Sequence, residues 1–159
     1  TQKVYLTSSL QKHLIARPVD YRDNVIASSA AQFAHNALLL GLLTEDEAYE
    51  HTAKVLLQKT LSEAEDYPIM YAHWLTLWNR FTYPYYEVVI AGPKAYEFKE
   101  NLEKNYLPNA VFLALDKASD LPAFEHRFVS GETFIYVCLN KVCKLPVQHI
   151  DEALQLLSE

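Results

Sequence analysis

Glycine is nearly missing from this chain: 3 residues in 159. Loops that cradle phosphate depend on glycine for left-handed backbone angles and close approach to the ligand, so a glycine-dependent nucleotide site is not expected. A basic stripe is missing too. The formal charge is −6 and the lysines and arginines are scattered, which leaves nothing to neutralise a phosphate backbone and disfavours nucleic acid as a partner. No long hydrophobic run occurs. The longest, Ala37 to Leu43 around Gly41, falls far short of the ~20 residues that span a bilayer. The amino terminus has no basic-then-apolar signal, so the expectation is a soluble, cytoplasmic protein with no membrane partner. The opening Thr1-Gln2-Lys3-Val4, with no methionine, suggests a processed end and excision from something longer.

What is present is ordinary for a folded domain. Hydrophobic residues make up 50% and charged residues 21%, which disfavours wholesale disorder. Eleven tyrosines and seven phenylalanines predict a core rich in large rings. The length suits one domain or two half-size modules.

The first half has helical periodicity. From Ser28 to Leu43, Ala30, Ala31, Ala34, Leu38 and Gly41 form a row of small side chains, with Phe33, Ala37 and Leu40 as a second apolar face, so this helix is expected to be covered on both sides. Thr44 with Glu47 three residues on has the spacing of a capping box. The helix that follows, to about Ala64, carries Tyr49, Ala53, Leu56, Leu57, Thr60, Leu61 and Ala64 on one face. Asp66-Tyr67-Pro68 breaks it, and a third helix presents Met70, Trp74, Leu77, Trp78 and Phe81 before Tyr83-Pro84 stops it.

After Pro84 the period changes. Glu87 to Ala91 and Ala110 to Leu115 read as buried strands. Between them a helix from Ala95 to Tyr106 offers Tyr96, Phe98, Leu102 and Tyr106 as buried positions. This spacing predicts a right-handed crossover and parallel strands. A loop over 116–132, with a helical turn near Phe124, leads to strands Thr133–Cys138 and Val142–Lys144, and then to a terminal helix with Ile150, Leu154 and Leu157.

Helices with apolar surface on more than one side must pack on something, and a small sheet offers few faces. Part of that surface is expected to serve helices upstream of Thr1, leaving this chain with an exposed patch or a homodimer contact.

Cys138 and Cys143 are the clearest chemical feature. If Asn140-Lys141 form a two-residue hairpin turn, the two cysteines face each other as a non-hydrogen-bonded pair about 4.5 Å apart at Cα, at the short end of the disulfide range. A bond there closes a short loop, contributing roughly 2 kcal/mol, and a reducing cytosol tends to keep it open. Packed thiols, a redox pair and a metal site are all open, the last with only His126 or His149 to join. Other candidates are plainer. Histidines 13, 35, 51, 73, 126 and 149 contain no i, i+4 pair, so zinc on a helix has no motif. Ser28 and Ser29 fall at a helix start without a Gly-x-Ser-x-Gly elbow, which favours capping over nucleophilic attack. Asp20, Asp23, Glu65 and Asp66 are the carboxylates that could serve sugar chemistry, which needs a set separation across a cleft. Trp74 and Trp78, one turn apart, fit core packing better than a sugar platform.

Several separated stretches carry a family resemblance. Ile15-Ala16-Arg17-Pro18, Asp23-Asn24-Val25-Ile26 and Thr44-Glu45-Asp46-Glu47-Ala48-Tyr49, then Glu87 to Gly92, Tyr106-Leu107-Pro108-Asn109, Tyr136-Val137-Cys138, Cys143 and Leu145-Pro146-Val147 resemble, in order and spacing, the late part of the large thioredoxin domain-containing proteins of the DUF255 type. These are relatives of the spermatogenesis-associated thioredoxin-like proteins. The resemblance implies a parent with a thioredoxin-like domain, then an α/α toroid like that of six-hairpin glycosidases and sugar epimerases, then this end piece. The family's Pro-Ser-Gly-Asn-Ser-like segment reads Ala27-Ser28-Ser29-Ala30-Ala31 here, so polar groups of an inherited sugar site are altered. The expected fold is α+β, with residues 1–84 as the last helices of a toroid and 85–159 as a small mixed-sheet module. The expected role is non-catalytic, with the upstream domains of the same parent as partners and no cofactor or metal. One alternative is a carbohydrate-active site holding Asp23, Ser28 and Ser29; a second is a redox or metal role for Cys138 and Cys143.

Overall fold

The computed structural model describes residues 3–158. Thr1 and Gln2, where the sequence suggests a processed end, and Glu159 lie outside the described residues. The chain is α+β and divides into two units with the boundary between Thr82 and Tyr83.

In the helical unit, α1 spans Ser29–Thr44, α2 Glu47–Gln58, α3 Leu61–Asp66 and α4 Ala72–Thr82. Ser28 caps α1: its hydroxyl accepts the Ala31 N–H at 3.2 Å. The small-residue row of α1 is buried as expected, and it packs on Ala53, Leu56, Leu57, Trp74 and Leu77. At Gly41 an added Cβ would lie 3.2 Å from the Glu50 backbone nitrogen, so the missing side chain lets α2 approach.

Several expectations need correction here. Thr44 is the last residue of α1, not the cap of α2. The chain turns at Glu45 with φ 55°, and Asp46 caps α2 by accepting the Ala48 N–H at 2.9 Å. The helix expected to run to Ala64 breaks after Gln58 and resumes as α3. Pro68 opens a 3-10 turn, Pro68–Tyr71, ahead of α4. Three residues per turn instead of 3.6 shifts the phase, so Tyr71 is buried while Met70 is exposed. The second apolar face of α1 is open: Ala37 is buried, but Phe33 and Leu40 are exposed.

In the second unit, β1 spans Tyr86–Ala91, α5 Ala95–Leu102, β2 Ala110–Leu115, β3 Phe134–Leu139, β4 Val142–Cys143 and α6 Ile150–Leu157. The sheet order is β2-β1-β3-β4, with β1 and β2 parallel as the crossover spacing requires and the other pairs antiparallel. One face of the sheet (Val88, Ile90, Ile135, Val137) packs under α5 and α6 through Leu102, Ala153 and Leu157. Side chains alternate across a sheet, so Val89 and Cys138, both buried, look the other way. Gly92 follows β1 at φ 134°, and a Cβ there would overlap the Glu132 carbonyl and sit 2.6 Å from Thr133 Cα. β2 is half-buried throughout because it is an edge strand, not the buried strand expected. α5 stops at Leu102, so Tyr106 leaves the helical phase and is exposed, as is Tyr96.

Candidate functional site

Asp23 and Ser28 meet at the start of α1. Asp23 Oδ1 accepts the Ser28 N–H at 2.8 Å, Oδ2 accepts the His73 N–H at 2.8 Å, and the Asp23 N–H donates to the Met70 carbonyl at 2.7 Å. Both carboxylate oxygens and the Ser28 hydroxyl are thus engaged with backbone N–H groups. Chemically this is a clamp: one side chain fixes the entrance of α1 to the entrance of α4, satisfying donors that helix termini leave open. Ser29 is the first residue of α1 and is exposed. Asp20 accepts the Arg22 N–H at 3.0 Å, and Glu65 and Asp66 are exposed at the end of α3. A groove of about 470 Å³ in this unit is lined by Val4, Tyr5, Arg17, Phe33, Ala37 and Tyr49 among others, and none of Asp23, Ser28 and Ser29 lines it.

Two histidines pack beside the clamp. His35 is buried, stacks on His73 at 4.0 Å between ring centres, and lies 2.9 Å through Nε2 from the His73 carbonyl. A carbonyl only accepts, so Nε2 carries the proton. Burial pushes the His35 pKa down to about 4, with the hydrogen bond to the His73 carbonyl acting in the opposite direction. Trp74 is fully buried with its indole N–H on the Tyr21 carbonyl at 2.7 Å, whereas Trp78 is exposed; the two do not form one platform. Glu63 accepts from the Tyr71 hydroxyl at 2.6 Å and from Arg22 at 3.1 Å, and these two contacts hold its carboxyl below the usual range.

In the sheet unit Asn140 and Lys141 both take positive φ, 51° and 65°, the two-residue turn that suits strand twist. Cys138 faces Cys143 and the two form a disulfide with Cα atoms 3.8 Å apart, closer than the separation of about 4.5 Å expected for such a pair. Cys138 is 1% exposed; Cys143 is half-buried. Arg127 reaches them from the loop before β3. Its guanidinium donates to Cys143 Sγ at 3.5 Å and to the Ala123 carbonyl at 2.9 Å, and lies 5.5 Å from the Tyr136 ring centre. The Tyr136 hydroxyl donates to the Arg127 carbonyl at 3.0 Å, which fixes that stretch of loop. Sequence reasoning missed Arg127, since a residue sixteen positions from Cys143 carries no spacing signal.

Among the described residues no group of three or more His, Cys, Asp or Glu could hold a metal ion, and no helix is long and apolar enough to cross a membrane. The chain matches no family model, no curated protein and no solved structure.

Proposed function

We propose that this chain is a non-catalytic structural portion of a larger thioredoxin domain-containing protein of the DUF255 type, completing and stiffening a helical toroid formed with upstream helices. A cytoplasmic location belongs to the same proposal. One observation carries it: the helical unit leaves large apolar side chains bare where its own helices have nothing further to pack on them. Val25 is 96%, Ile26 79% and Ile69 86% exposed. The hydrogen bond from Asp23 to Met70 brings these two stretches side by side, and Phe33 and Leu40 leave the outer face of α1 open. Isolated exposed residues need no explanation, but a concentration of them marks a docking surface. Asp23 and Ser28 support the same reading, because their polar atoms hold helix entrances together rather than standing free for a substrate.

Sedimentation and apolar-dye binding test this. The isolated chain is expected to bind dye or self-associate, and a longer polypeptide carrying the preceding helices is expected to do neither. A well-behaved monomer that binds no dye contradicts the proposal; a dimer that buries Val25 and Ile26 assigns the face to a second copy.

A further inference from the structure

The two sulfurs of the β3–β4 hairpin sit in opposite electrostatic settings. Cys143 is half-buried, with the Arg127 guanidinium 3.5 Å from its Sγ. Cys138 is sealed from solvent and pairs across β1 with Glu87, which places a carboxylate on its face of the sheet. A cation beside a sulfur favours its thiolate, whereas burial and a neighbouring anion disfavour it. Once the bond opens, Cys143 therefore holds the charge and Cys138 the proton. Val137 and Leu139 point to the other face of the sheet, so the groove of about 400 Å³ that they line with Tyr86, Val142 and Lys144 does not open on the two sulfurs.

The geometry points to a thiol–disulfide exchange site: Cys143 is the reacting sulfur, Cys138 the resolving sulfur, Arg127 the activating cation, and a small thiol from solution is the co-reactant. The thiolate of the small thiol attacks Cys143 Sγ. The bond between the two protein sulfurs breaks, its electron pair leaves on Cys138, and Cys138 takes a proton. A second small thiol then attacks the mixed disulfide at the sulfur of the first, releasing Cys143 as a thiolate beside Arg127. Two small thiols are oxidised to one disulfide, the protein disulfide gains two electrons, one of the two protons stays on Cys138 and the other goes to solvent. The reverse sequence closes the pair. The inference draws on the proposed function only for its reducing compartment, where persistent disulfides are uncommon and reversible ones are functional. It is read out on the sheet unit, so it stands or falls separately from the fate of the helical face.

Glutathione buffers provide the test. The native chain is incubated at graded ratios of reduced to oxidised glutathione, quenched by alkylation and weighed by mass spectrometry. Reversible opening of the folded protein is expected. In Cys138→Ser, Cys143 is expected to form a mixed disulfide with oxidised glutathione and to titrate below the ordinary thiol value of about 8.5. Arg127→Gln in that background raises the thiol pKa by about 1, slowing alkylation near neutral pH about tenfold, while Arg127→Lys restores most of the rate. In Cys143→Ser, Cys138 is expected to react only in denaturant. The inference is overturned if the wild-type pair opens only on unfolding, or if Cys143 titrates at the ordinary value with and without Arg127. Circular dichroism of each variant separates loss of fold from loss of reactivity.

Discussion

Acid is expected to weaken the helical unit through one side chain. His35 is 4% exposed, and its folded-state pKa is about 4 against 6.5 when unfolded. The folded state thus refuses a proton that the unfolded chain accepts. Above pH 6.5 both forms are neutral and the contribution is fully present. It is lost as pH falls from 6.5 through 4, and below that it is gone. A tenfold difference in proton affinity between the two states is worth about 1.36 kcal/mol, so the gap between 6.5 and about 4 makes the loss about 3 kcal/mol. That is a large share of the ~5–15 kcal/mol that holds a domain together. The groups acting on the ring are His73, Arg80 and Asp23. Burial dominates; the His73 carbonyl and Asp23 favour the charged imidazole, while the His73 ring and Arg80 oppose it. Urea unfolding from pH 8 to 4 follows this through fluorescence, since both tryptophans lie in the helical unit. His35→Gln keeps a donor for the His73 carbonyl but does not titrate, so its stability is expected to vary less over the window by about 3 kcal/mol. Parallel losses in wild type and variant would refute the reasoning.

Other outcomes follow from the same contacts. Asp23→Ala strands two backbone donors and is expected to cost about 2–4 kcal/mol by urea unfolding; Asp23→Asn, keeping one acceptor, is expected to cost roughly half as much. Gly92→Ala places a methyl group against the Glu132 carbonyl at a backbone angle that L residues avoid, so a loss of about 3 kcal/mol or more is expected in the sheet unit, read by near-ultraviolet circular dichroism. Thr133→Val removes the hydroxyl that accepts the Lys94 N–H at 3.0 Å and is expected to cost about 1 kcal/mol in the same assay.

The sheet unit is more legible in the sequence than the helical one. Short apolar runs bounded by Gly92-Pro93 and Pro108-Asn109 leave few alternatives, and the turn at Asn140-Lys141 sets the register that joins the cysteines. In the helical unit, apolar periodicity marks where helices lie but not their phase after an irregular turn. The 3-10 segment at Pro68 exchanges Met70 for Tyr71 in the core, and the left-handed Glu45 moves the cap from Thr44 to Asp46. Periodicity also cannot say whether an apolar face is covered: Trp78, Phe33 and Leu40 fit their stripes and yet face outward. Ser28 is legible as a cap from local spacing. The use of Asp23 is not, because its partner His73 lies fifty residues away, and the Arg127 contact with Cys143 depends on a loop that periodicity does not reach.

The exposed face is best tested at Ile26. With both native cysteines in the disulfide, an Ile26→Cys thiol can be labelled selectively by a maleimide, in the isolated chain and in a longer polypeptide that supplies the preceding helices. Rapid labelling in the former and at least tenfold protection in the latter is the expected result; equal rates in both would mean that nothing upstream covers this surface.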